Sequence, residues 1–123
     1  MLQTFTIKKA DGTTDVVYNL QSAASDAASY IDATSTLSAP RTMKISHQIK
    51  PIGSSGSDRH TILAQSVVLD VNNVPHIMSA SLTWTIPRAA VATDTLAKDV
   101  LAAAANYLNL VGVRDALIDG ILP

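Results

Sequence analysis

The stretch from Met78 to Ile86 leaves this chain little choice of local conformation. Met78, Ala80, Leu82, Trp84 and Ile86 alternate with Ser79, Ser81, Thr83 and Thr85. A period of two is the signature of a strand, because successive side chains point to opposite faces. The predicted strand has one apolar face and one face made only of hydroxyls, and Pro87 ends it. A second run repeats the pattern over 42–50. Met43, Ile45, His47 and Ile49 share one face; Lys44, Ser46, Gln48 and Lys50 share the other. Nine residues at this period span about 30 Å. The segment PIGSSGSD, 51–58, is turn-rich and reads as a loop. A strand rich in Val, Leu and Ile is expected over 59–70. Asn72-Asn73 mark the next turn, and Pro75 limits what can follow it.

Residues 2–20 predict a hairpin. Phe5 and Ile7 fall on one face, Asp11-Gly12 is a strong turn signal, and Val16, Val17, Tyr18 and Leu20 return as strand. Residues 21–39 are ambiguous. Ala24, Ala27, Ala28 and Ile31 fit a helical period, the Ser and Thr content favours loops, and a short strand over 29–33 also fits. After residue 93 the period changes. Leu96, Val100, Leu101, Ala104, Tyr107 and Leu108 form the apolar face of a helix over 94–108, with Thr93 or Asp94 as its cap. A second helix over 113–119 is too short to stand alone and must dock, with Ile121-Leu122-Pro123 as its anchor.

Strands followed by helices indicate an α+β fold with an antiparallel sheet and helices on one face. At 123 residues the chain is one domain, comprising the hairpin (1–20), a central sheet (42–87), helices (94–119) and a tail (120–123). Only 15% of residues are charged, against about 25% in an ordinary globular domain. So little charge covers a surface poorly and points to extensive contact with other protein. The net charge is −1, yet Arg41, Lys44, Lys50 and Arg59 face Asp58 alone within 41–60. No N-terminal run fits a signal peptide, and the longest apolar run, 101–105, is far short of a membrane span. The expectation is a soluble protein made without signal-dependent export and without a membrane partner.

The chain has no cysteine, so disulfides, thiolate metal sites and cysteine nucleophiles are excluded. His47 falls on an apolar strand face and reads as a packed histidine with one hydrogen bond. His60 and His76 have no ligand-like spacing. Asp58, Arg59 and His60 are adjacent on a strand and cannot converge. GSSG at 53–56 reads as a hairpin loop before it reads as a phosphate nest. No nucleophile–base pair and no cofactor fingerprint appears, so no enzyme activity, metal or cofactor is expected. Trp84 shares its face with Leu82 and Ile86 and reads as a core anchor.

Three stretches carry a family resemblance. MKISHQIK (43–50) with DRHTI (58–62), SASLTWTIP (79–87), and ATDTLAKDVLAAAANYL (92–108) with ALIDGILP (116–123) resemble, in order and spacing, the coat proteins of single-stranded RNA bacteriophages, the levivirus-like family. The likeness covers most of the chain, excluding 21–39. It implies an interlocked homodimer with a continuous sheet, in which the helices of each chain cross onto the other. Dimers then tile an icosahedral shell, usually T=3. The hairpin and helices face outward, and the polar sheet face lines the interior against RNA. The implied location is the virion, assembled in the bacterial host cytoplasm.

The resemblance also implies RNA-contacting positions: Lys44, Ser46, Gln48, Lys50, Arg59 and Thr61, with Ser81 and Thr83 adding polar contacts. Lys44, Lys50 and Arg59 carry the charge that pairs with phosphate. Gln48, Leu63 and Ser79 depart from the family's habit of a small hydroxyl, a basic residue and a stacking aromatic at these places. The partner implied is single-stranded RNA, a stem-loop included; general contact survives these departures better than recognition of one hairpin. The connection 71–75 is shorter than the family's usual loop. The alternative is a small homodimeric binding module with an exposed polar sheet face and no shell.

Overall fold

The computed structural model describes residues 2–51, 53 and 55–120. Six strands form one sheet in sequence order: β1 (Thr4–Lys8), β2 (Asp15–Ala23), β3 (Ala27–Asp32), β4 (Arg41–Gln48), β5 (Ser57–Leu69) and β6 (Pro75–Pro87). Every neighbouring pair is antiparallel. Two helices follow, α1 (Asp94–Leu108) and α2 (Val113–Ile118). This is the α+β order expected from the alternation. The tail residues Ile121-Leu122-Pro123 and part of the 51–58 loop lie outside the described residues.

The Asp-Gly turn closes the first hairpin as its chemistry requires. Gly12 adopts φ 73°, and Asp11 Oδ1 accepts the N–H groups of Thr13 and Thr14 at 2.9 Å each. These bonds, led by the Thr14 hydroxyl, lower the Asp11 carboxyl to about 2.

The ambiguous segment 21–39 resolves as the end of β2, a tight turn closed by Ala24 N–H to Ala27 O, and β3. Alanine's helix propensity loses here to tertiary pairing, since β3 sits between two strands that each offer a ladder. Ala28, Tyr30 and Asp32 alternate as its buried positions. Tyr30 and Tyr18 form the core with Phe5, Val16, Leu20, Met43 and Ile45 packed around them. Phe5 stacks on Tyr18 with ring centroids 5.3 Å apart and meets Tyr30 edge-on at 4.8 Å. The Tyr30 hydroxyl donates to Leu2 O at 2.9 Å. Asp32, 1% exposed, anchors the long β3–β4 connection. It accepts Thr34 N–H and Oγ1–H at 2.8 Å each and Arg41 Nε–H at 2.7 Å. Burial pushes its carboxyl up, but these donors outweigh burial and hold it below the ordinary range.

The strand expected over 42–50 stops at Gln48. Beyond it Lys50 N–H leaves the ladder and donates to Asp58 Oδ1 at 2.7 Å, and Arg88 binds both Asp58 Oδ1 and Lys50 O. This clasp closes the β4–β5 loop against the end of β6. The Lys50 amide, then burial acting in the opposite sense, then Arg88 set the Asp58 carboxyl, with a net lowering. At the other end of the sheet β5 and β6 run 13 residues each. Asp70 Oδ1 gathers the N–H groups of Asn72 and Val74, and Asn73 takes φ 60°. Pro75 opens β6 instead of preceding it, which is tolerated because β6 is an edge strand.

Thr93 caps α1, its Oγ1 accepting Leu96 N–H at 3.3 Å. Ala97 and Leu96 approach Trp84 and Ile86 at the start of the helix. No residue of α1 is buried, those at this approach included. Val100 is 65% exposed, and Ile118 of α2 is 84% exposed.

Candidate nucleic-acid interface

Antiparallel register decides which side chains share a face, because residues directly opposite one another project to the same side. Lys44 pairs with Leu63, Ser46 with Thr61 and Gln48 with Arg59. Across the next ladder Arg59 pairs with Thr85, Thr61 with Thr83 and Leu63 with Ser81. Seven of the eight sequence-predicted residues, Lys44, Ser46, Gln48, Arg59, Thr61, Ser81 and Thr83, therefore occupy one face over three adjacent strands. Lys50 is the eighth. It lies two residues beyond β4, and its aliphatic stem passes Gly56, where an added Cβ would meet Lys50 Cε at 3.9 Å.

Register adds Ser29, which faces Lys44 from β3, with Thr42 and Gln65, and joins to them Ser79 and Thr85 from the hydroxyl row already read in the sequence. Period-two counting reaches Thr42, Gln65 and Thr85. Ser29 was hidden because its segment could not be assigned. Thr61 Oγ1 and Thr83 Oγ1 lie 3.1 Å apart and form a cross-strand hydroxyl pair. Lys44 and Arg59 are exposed. Among the described residues of β3 to β6, no acid falls on this face. Asp32 and Asp58 belong to the opposite one by register. Arg41 also points to that opposite side, held by Asp32, and is removed from the basic cluster counted in the sequence.

The opposite face holds the rings. Phe5, Tyr18, Tyr30 and Trp84 all project there by register. His47 and His60 face each other with their Nδ1 atoms 2.6 Å apart, and His60 stacks on Trp84 at 5.3 Å. His47 is thus the half-buried, hydrogen-bonded histidine its strand position predicted; Trp84, expected as a core anchor, is only half-buried, lies outside the core cluster, and lines a cleft with Leu96 and Val100 of α1. Asp58 and His60 flank Arg59 from the other side, so the three cannot cooperate. Among the described residues no three metal-ligating side chains gather.

The hydroxyl-rich face and the ring-bearing face thus belong to one meander of six antiparallel strands, followed by two helices. The chain has the coat-protein fold of levi-like RNA phages. The virus-like particle subunit of Beihai levi-like virus 21 superposes with a TM-score of 0.75 over 100% of this chain and 98% of its own, at 12% identity. The capsid protein of bacteriophage GA gives 0.70 over 98% and 96%, at 21% identity. An unassembled bacteriophage coat protein, described as an RNA-binding dimer, gives 0.64 over 99% and 97%, at 20% identity. No protein-family model and no curated protein matches the sequence.

Proposed function

We propose that the protein is a coat subunit that dimerises, assembles into an icosahedral shell and holds single-stranded RNA against its polar sheet face. The observation that carries this reading is the surface the chain leaves uncovered. It exposes 8944 Å², whereas a compact monomer of this mass exposes roughly 6,300 Å². An excess of roughly 2,600 Å² per chain suits an obligate homodimer interface. The excess is apolar where it matters. Ile77, Met78, Leu96, Val100 and Ile118 are exposed, and the outer edge of β6 has unpaired backbone groups. A second copy satisfies both needs, extending the sheet through β6 and covering it with α1 and α2.

The polar face then lies on the side away from the helices. Lys44 and Arg59 supply phosphate contacts, with Lys50 at the rim, and Ser46, Gln48, Thr61, Ser81 and Thr83 supply polar contacts. Many weak sites on one long RNA act together, so a modest charge per subunit suffices. The particle belongs to a virion assembled in a bacterial host.

Negative-stain electron microscopy of the purified chain tests the assembly. Uniform spheres a few tens of nanometres across are expected. A field without particles across salt and protein concentrations overturns the shell and leaves a dimeric binding module. Lys44→Ala combined with Arg59→Ala tests the face. Packaged RNA, read as the 260/280 nm absorbance ratio of purified particles, should fall while the particles persist. Unchanged RNA content removes RNA from this face.

A further inference from the structure

The placement of the chain's rings says what kind of RNA this face can take. The sequence contains five aromatic residues in all, one Phe, one Trp and three Tyr. Phe5, Tyr18, Tyr30 and Trp84 project from the opposite face, and Tyr107 lies in α1. The three histidines are no closer. His47 and His60 belong to the ring-bearing face, and His76 pairs with Val68 on that same side, bound to Asp70 at 3.1 Å. No ring is left to stack on an extruded base, the contact that sequence-specific readers of RNA loops exploit. The planar group that remains is the Arg59 guanidinium, which stacks on any base alike.

What the face offers instead is cations and hydroxyls. Lys44 and Arg59 lie on adjacent strands, offset by four residues, since Arg59 stands opposite Gln48. That separates their Cα atoms by about 14 Å along and across the sheet. Ser46 and Thr61 lie between them, Ser81 and Thr83 continue the face on β6, and Leu63 stands opposite Lys44. In the Thr61–Thr83 pair one hydroxyl donates to the other. The accepting hydroxyl keeps its own proton free, and both oxygens keep a lone pair. Such a pair can both give a hydrogen bond to a ribose 2′-OH and take one from it. The 2′-OH is the group that separates RNA from DNA.

Resting on the RNA-face reading above, we infer that this face reads phosphate and ribose rather than bases: it takes flexible single-stranded RNA of any sequence, prefers it to DNA, and selects no stem-loop. Thr61 and Thr83 are its ribose-discriminating residues.

Fluorescence anisotropy with the full-length, nucleic-acid-free chain tests this. The probes are labelled 20-mers of U, A and C, the DNA 20-mers of the same sequences, and a library of stem-loops with randomised loops. The RNA homopolymers should bind within about threefold of one another and at least fivefold tighter than the DNA ones. With Lys44 and Arg59 as the phosphate contacts, log Kobs should fall with log salt at a slope of about −1.4 per chain. Thr61→Val combined with Thr83→Val should cost RNA more affinity than DNA and bring the RNA-to-DNA ratio towards one; an unchanged ratio overturns the role of this pair. Loss of structure alone would lower both together. A stem-loop bound more than a hundredfold tighter than the U 20-mer overturns sequence neutrality but leaves the face an RNA site. Equal RNA and DNA affinity in the unaltered chain overturns ribose reading. Failure to bind any probe at low salt overturns the underlying RNA-face reading itself.

Discussion

The two ends of this chain solve the burial problem differently. The first four strands close a small core within the chain. Tyr18, Ala28, Tyr30 and Asp32 are buried there, the aromatic rings touch, and the one buried carboxylate has its donors. From β5 onward there is one buried side chain among the described residues, Val113, while β6 carries the apolar row Met78, Ala80, Leu82, Trp84 and Ile86, and Leu96, Val100 and Leu108 of α1 are exposed. The N-terminal half is stabilised by its own contacts. The C-terminal half leaves its apolar positions exposed, and the dimer proposed above would cover them. That reading fits the low charge content, because a face destined for protein contact cannot be covered with charged residues.

The sharpest way to break this comparison is to place a charge on each half. Val100→Asp puts a carboxylate on α1 at a position 65% exposed in the single chain. On a monomer surface such a change stays within about 0.5 kcal/mol. If α1 is covered by a second copy, the carboxylate is buried unpaired, and particles and dimers should both disappear in size-exclusion chromatography. Wild-type assembly by this variant would show that α1 stays in solvent. In the other half, Tyr30→Ala empties the core and strips a donor from Leu2 O. A loss of about 3–5 kcal/mol is expected by analogy with large aromatic truncations. Chemical denaturation should show that loss independent of protein concentration. A loss that shrinks as concentration rises would instead place Tyr30 at an interface.

The same division governs what could be read from the sequence. Wherever one face is buried and the other is wet, alternation is visible, so β4, β6 and the face shared by Lys44, Ser46, Ser81 and Thr83 were legible residue by residue, whereas Arg59 and Thr61 came only from the family resemblance. The hairpin was legible because Asp11-Gly12 carries a backbone requirement of its own. β3 was not, because Ala27 and Ala28 have no strand preference and become strand only through the ladders on either side. The end of β4 was hidden too. Ile49 and Lys50 continue the alternation, and only the Asp58–Arg88 clasp, formed with residues far along the chain, takes Lys50 off the strand. The removal of Arg41 from the basic cluster has the same origin, since its partner Asp32 lies in the segment that local pattern could not assign.

The smallest expected effect separates turn chemistry from core chemistry in acid. Asp11, at the exposed tip of the first hairpin, is lowered to about 2 by the hydroxyl and amide of Thr14 and the amide of Thr13. Its unfolded counterpart titrates near 3.9. A carboxyl with a lowered folded value binds fewer protons in the native state than in the unfolded one, so its contribution is present above the unfolded value. It is lost as pH falls through the folded one. Burial raises the Asp32 carboxyl but its donors outweigh burial and lower it, so its contribution to the N-terminal strands is also lost in acid. Asp11→Asn keeps an acceptor for the Thr13 and Thr14 amides but removes the proton linkage. The variant should therefore be less stable than the parent at pH 7, lose less stability between about pH 4 and 2, and converge with it in acid, as read from melting temperatures across the series. Parallel curves for the two proteins would show that Asp11 carries no folding-linked proton. The acid sensitivity would then belong to the other lowered carboxyls, Asp32 in the core among them.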